Sequence, residues 1–117
     1  QCTDPEDPHY EPLAAMEKQL RGFKTLDGKP YNLIPLPLPE PLYLDDYRLP
    51  ASYANFLIIN GAVLLPGAGS PLDEVARKRL QEAFPDREVI VIDCRALLSG
   101  HGSLHCVTMQ FPEGYIR

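Results

Sequence analysis

Of the six histidine and cysteine side chains in this 117-residue sequence, three fall within one stretch, GHGSLHC, Gly100 to Cys106. A glycine-spaced loop that delivers a His-Cys pair admits three chemistries. Cys106 can be a metal ligand, a nucleophile, or a small core residue, since free cysteines are among the most buried side chains. Metal binding is the weakest of these. His101-x3-His105 is a single clamp, whereas zinc takes a tetrahedral set of ligands. LHCVTMQ also reads as a strand, in which neighbouring side chains point to opposite faces, so His105 and Cys106 would not meet at one ion. A nucleophile needs an exposed sulfur, a backbone that lets the substrate approach, and a thiol pKa brought down from ~8.5. Gly100 and Gly102 allow the approach, and Ser103 can hydrogen-bond locally. The same alternation turns His105 away from Cys106, which leaves only His9 and His101 as histidine bases within the chain. Cys94, at the end of an apolar run, reads as an inert core thiol.

The elements that must position this loop are legible in the apolar pattern. ANFLIIN (54–60) and AVLLP (62–66) are hinged at Asn60-Gly61, a strong hairpin signal because both residues tolerate positive φ. Both runs read as buried on two faces, as in the middle of a layered α/β structure. Next, Leu72, Val75, Ala76, Leu80, Ala83 and Phe84 form one helical stripe, with Ser70 as cap, Pro71 at the first helical position and Asp73 completing a capping box. Pro85 stops that helix, and EVIVID (88–93) is a β-branched strand. The order is a ββαβ unit with a crossover. Upstream, Leu13, Met16, Leu20 and Phe23 recur at helical spacing, with Pro12 in the first turn and Gly22 as the stop.

Thirteen prolines are an excess, and six of them lie between Pro30 and Pro50. Pro35, Pro37, Pro39 and Pro41 remove alternate N–H donors, so that segment is an edge strand or a polyproline stretch over the surface. Its two-residue spacing does not match the P-x-x-P repeat of SH3 ligands. A net charge of −5 argues against nucleic-acid or anionic-membrane partners and suits a small cationic ligand. An odd cysteine count with no C-x-x-C pair makes a disulfide framework improbable and a reducing, cytoplasmic setting the expectation. No apolar run approaches the ~20 residues of a membrane span. No secretory signal is visible, and a start at Gln1 rather than Met suggests a piece of something longer.

Three segments carry a resemblance: LPASYANFLIINGAVLLP (49–66), SPLDEVARKRLQEAFPDREVIVID (70–93) and GHGSLHCVTMQFP (100–112). Together they resemble the C-terminal part of the agmatine deiminase family, which includes the bacterial type of peptidylarginine deiminase. The shared pattern is L-P-A-S-Y-x-N-F and N-G, a helix, a strand ending in Asp, and G-G-G-(N/S)-(I/L)-H-C-(I/V)-T. DPEDPHYEPL and DGKP…LPLPEPL fit the family's acidic loop and proline-rich approach, so the likeness covers essentially the whole chain.

The resemblance implies an α/β fold of the pentein type, a pseudo-fivefold propeller of ββαβ modules around a guanidine site. The chain would be a C-terminal fragment of one catalytic domain, about one and a half to two modules long. Residues 1–48 would be the helix and proline-rich approach, 49–93 a ββαβ module, and 94–117 the nucleophile loop and a strand. Cys106 would be the nucleophile, attacking a guanidinium carbon to release ammonia and form an amidino-cysteine that water hydrolyses. Gly102 and Ser103 would line the site, with Asn60 and Gly61 close to it. The implied substrate is a small cationic guanidine, agmatine or an arginine derivative, with no metal and no cofactor. The implied partners are the remaining N-terminal modules and, in a homodimer, a second copy.

Two departures stand out: His101 replaces a family glycine, and Ser103 replaces the Asn common in agmatine deiminases. The family's H-x-D histidine and its guanidinium-gripping acids are not matched here, so the chain alone is expected to be inactive. Peptidylarginine deimination, and a non-catalytic structural or interaction domain, remain the alternatives.

Overall fold

The computed structural model describes residues 1–115. Helix α1 (Tyr10–Gly22) precedes a small hairpin of β1 (Tyr43–Leu44) and β2 (Tyr47–Arg48). There follow β3 (Leu57–Ile59), β4 (Ala62–Gly67), α2 (Leu72–Ala83), β5 (Glu88–Asp93), the short helix α3 (Arg95–Leu98) and a 3-10 turn, His105–Val107.

The apolar run breaks at Asn60-Gly61 as expected, and β3 folds back antiparallel on β4, pairing Leu57 with Leu64 and Ile59 with Ala62. Only Gly61 takes a positive φ, 75°, where the dipeptide allowed it at both positions. The chain then crosses over through α2 and returns as β5, parallel to β4, from Ala62 opposite Glu88 to Gly67 opposite Asp93. The sheet order β3-β4-β5 puts β4 at the centre, and the ββαβ unit is present. One face of the sheet is packed: Val63, Leu65 and Val89 meet Ala76 and Leu80 of α2, together with Tyr53. β4 is buried on the α2 face and half-buried on the other at Ala62 and Leu64, so burial on two faces holds only in part there and not for β3. Ile58 and Ile59 are 39% and 41% exposed, because an edge strand leaves one side without a partner.

Asp73 does not close a capping box on Ser70. Its carboxylate accepts the N–H groups of Ala68 (3.0 Å) and Gly69 (3.1 Å) and the hydroxyl of Tyr53 (2.6 Å). One side chain therefore ties the end of β4, the entry to α2 and the segment leading into β3. Burial, and then the neighbouring Asp73, push the Tyr53 phenol well above its ordinary range. Ser70 still contributes, accepting the N–H of Leu72 at 3.0 Å.

The N-terminal third is looser. In α1, Leu13, Met16 and Leu20 share a face as the spacing predicts, yet no α1 residue is buried. That face looks across an open groove of about 430 Å³ at Ile34, Leu36 and Leu38. Pro35 to Pro41 belong to neither sheet and run over the surface, where Leu38 donates to the Gln1 carbonyl at 2.9 Å. Arg48 anchors β2 to the N-terminal segment through two hydrogen bonds to the Asp7 carboxylate, 2.9 and 2.8 Å.

The expected strand over LHCVTMQ is not there. Residues 105–107 form the 3-10 turn and 108–112 carry no strand. A strand exists only by pairing, and among the described residues the link to the sheet is a side chain, Gln110 Nε2 donating to the Ile58 carbonyl at 2.7 Å. Val107, Met109 and Phe111 consequently stay exposed. The segment assigned to 94–117 ends in residues 116–117, which lie outside the described residues.

Two outcomes are expected. Asp73→Ala leaves a buried hydroxyl and two amides unpaired and should lower stability by about 2–3 kcal/mol in urea unfolding of the intact protein. The Arg48 guanidinium, with the His9 backbone N–H next, holds the Asp7 carboxyl far below its ordinary range. That contact stabilises fully above the unfolded Asp value of ~4 and is lost as pH falls towards the lowered folded value. Asp7→Asn should remove this acid-side dependence from a pH series of melting temperatures.

Candidate active site

Cys106 stands on the 3-10 turn with its side chain exposed. Asn55, at the entry to β3, decides its surroundings. The Asn55 Oδ1 accepts the N–H of His105 (2.8 Å) and of Cys106 (3.3 Å), and its backbone carbonyl also accepts from His105 (3.3 Å). A backbone N–H can only donate, so the oxygen of the amide must face the turn. The Nδ2 then faces the Cys106 Sγ, 3.1 Å away, and can only donate to it. The Ser103 N–H, first, and the Asn55 amide bring the Cys106 thiol below its ordinary pKa, because N–H donors favour the thiolate. Asn55 was not singled out in the sequence. The available signal was an amide side chain placed directly before an apolar strand, where Asn is disfavoured unless it has work to do.

Gly102 lies against Cys106. A Cβ there would sit 3.2 Å from the Cys106 Cβ and 3.8 Å from its sulfur, so a side chain would crowd Cys106 by a few tenths of an ångström. Ser103 differs from expectation. It is 4% exposed, so its side chain is not open to a ligand, and its backbone N–H favours the Cys106 thiolate. Leu104, next in the loop, packs with Leu57 and Cys94, which gives Cys94 the core role read for it. The loop is thus pinned below by Leu104 and above by Asn55.

His101 takes the left-handed conformation with φ 60°, at the position where the resemblance places glycine. That conformation costs a residue with a Cβ about 1 kcal/mol or more. Its ring meets Tyr47 of β2 edge-to-face, with centroids 5.0 Å apart and planes at 81°. Such a contact returns a comparable ~0.5–1.5 kcal/mol.

Other expectations are not met in space. Asn60 and Gly61 form the β3–β4 turn, at the far end of β3 from Asn55 and Cys106. An open depression of about 390 Å³ beside Asn55 and His105 is walled by Ala54, Phe56, Ile58 and Gln110, and neither turn residue lines it. His9 binds Asp7 through Nδ1 at 2.9 Å. His105 shares the turn with Cys106, so the alternation that was to separate them does not apply, and the N–H groups of both rest on the Asn55 oxygen. Among the described residues the hydrogen-bond partner of the Cys106 sulfur is the Asn55 amide N–H, a donor, so no base lies on the thiol. Nor do these residues hold a cluster of three or more His, Cys, Asp or Glu side chains able to bind a metal. No helix among them is long and apolar enough to cross a membrane.

A family model described as Porphyromonas-type peptidyl-arginine deiminase matches residues 1–112. The chain belongs to that family. Among curated proteins, it is 35% identical to the agmatine deiminase of Pseudomonas syringae pv. tomato over 130 residues, which cover 96% of this chain and 35% of that protein. Among solved structures, one is a Porphyromonas gingivalis protein provisionally described as an arginine deiminase. It matches at 60% identity with a TM-score of 0.97, over 100% of this chain and 34% of the other. The agmatine deiminase of C. jejuni matches at 43% identity and a TM-score of 0.82, over 90% of this chain and 31% of its own. The chain therefore spans about a third of the length of these deiminases, and its ββαβ unit is part of a pentein α/β propeller.

In this chain, Asn55→Ala should move the midpoint of Cys106 alkylation by iodoacetamide to higher pH. Asn55→Asp should move it further, since it replaces a donor at the sulfur by an anionic acceptor. Unchanged midpoints in both variants would contradict the role given to Asn55.

Proposed function

We propose that Cys106 is the nucleophile of a hydrolytic deiminase acting on a guanidinium group, and that the protein carrying this chain converts agmatine to N-carbamoylputrescine and ammonia. The observation that carries this reading is an exposed thiol with the Asn55 amide donating to its sulfur at 3.1 Å and a glycine beside it. The agmatine deiminase relatives supply the substrate.

The step is a substitution at carbon. The Cys106 thiolate attacks the guanidinium carbon and forms a C–S bond. One C–N bond breaks, and its nitrogen leaves as ammonia after taking a proton. Water then adds to the amidino-cysteine carbon, loses a proton, and expels the thiolate as the C–S bond breaks, leaving the ureido product. The Ser103 N–H and the Asn55 amide hold the anionic sulfur both at the start and when it is released. Proton transfer falls to groups outside this chain, as does the carboxylate grip on the guanidinium, so the remaining modules of the same protein are the required partner. In this reading the chain is a piece of one catalytic domain, with residues 49–93 as its ββαβ module and Gly102 and Ser103 in the floor of the site. Asn60 and Gly61 lie at the far end of β3 from Cys106 in this chain.

A second reading, deimination of arginine within a protein, takes its support from the description of the matching family alone, against the agmatine deiminase relatives. The intact protein, assayed for ureido product with agmatine and with arginine-containing peptides, separates the two. Cys106→Ser should lose at least about 10³-fold in kcat on the true substrate, and residues 1–117 alone should show no turnover. Undiminished turnover by Cys106→Ser would sink the assignment.

A further inference from the structure

We infer that the β1–β2 hairpin is a latch on the nucleophile loop, with Tyr47 and His101 as positioning residues that set the approach of the loop backbone to the Cys106 sulfur. This deepens the reading of Cys106 as the nucleophile and rests on it. The geometry points to it in three steps. First, His101 holds a left-handed φ of 60° that its side chain disfavours, and the residue meeting that side chain is Tyr47, with ring centroids 5.0 Å apart. Secondly, the two residues after His101 are those that shape the thiol. Gly102 packs on the Cys106 Cβ, and the Ser103 N–H is the leading influence favouring the thiolate. A rotation at His101 would move both. Thirdly, the hairpin can bear a load from its other side. The residue after Tyr47 is Arg48, which holds the Asp7 carboxylate with two hydrogen bonds and has a side chain only 20% exposed. Tyr47 itself is 56% exposed and contributes nothing to the core, so its ring is free to serve the loop.

The latch explains the bulky residue at position 101. A glycine would adopt the same φ unaided, whereas histidine needs a partner and thereby couples the loop to the hairpin.

The test is a double-mutant cycle in the intact protein on Tyr47→Ala and His101→Ala, which keeps the Cβ but loses the ring, with Tyr47→Phe to restore the ring. Two quantities are read: the pH midpoint of Cys106 alkylation by iodoacetamide, followed by mass spectrometry, and kcat and KM for agmatine. Each single variant should raise the alkylation midpoint and lower kcat by about three- to tenfold, a change large enough to exceed the ordinary scatter of surface substitutions. KM should change less than kcat. The double variant should be no worse than either single, and Tyr47→Phe should behave as the wild type. Additive effects, or singles with an unmoved midpoint, would overturn the latch. Turnover that survives Cys106→Ser would overturn the nucleophile reading instead, and the alkylation midpoint would still report on the latch.

Discussion

The side-chain amide of Asn55 is the constraint on which the site depends. Its oxygen is committed to the His105 and Cys106 N–H groups, so its nitrogen has one orientation left, towards the sulfur. A single side chain thereby fixes the turn and sets the charge preference of the thiol it carries. The arrangement is long-range, since 51 residues separate the two partners.

Asn55 can hold the loop only if its own backbone is held. Tyr53, two residues earlier, is buried and gives its hydroxyl to Asp73. Asp73 in turn binds the amides that end β4 and open α2. On the other side, Leu57 of β3 packs on Cys94 and Leu104. A connected path thus runs from the α2 entry through Tyr53 to Asn55 and Cys106, and a second runs through the Leu57 cluster to the loop. Rigid elements of this kind place a reactive group more accurately than a free loop would.

The local elements were legible in the sequence, and the long-range ones were not. Asn60-Gly61, the α2 stripe and the β-branched run 88–93 gave the ββαβ unit because each is written in neighbouring residues. The strand over LHCVTMQ failed because alternation reports a capacity to pair, while a strand requires the partner itself. For the same reason Ile58 and Ile59 looked like core and lie on an edge. Asp73 sits at capping-box spacing, yet its carboxylate goes to Tyr53 and to the backbone before the helix. Ser103 is polar and sits in a glycine-spaced loop, yet it is buried. Cys106 was singled out by its loop. Its partner Asn55 was quoted only as one letter of LPASYANF, since nothing in sequence spacing joins it to Cys106.

A covalent bond to Cys106 is the central claim, and trapping it is the direct test. The intact protein should be mixed with agmatine, quenched in acid within the first turnovers and digested for mass spectrometry. The peptide containing Cys106 should gain the mass of the substrate less that of ammonia, and the adduct should disappear as ureido product forms. Turnover with an unmodified Cys106, or with the adduct on another residue, would contradict it.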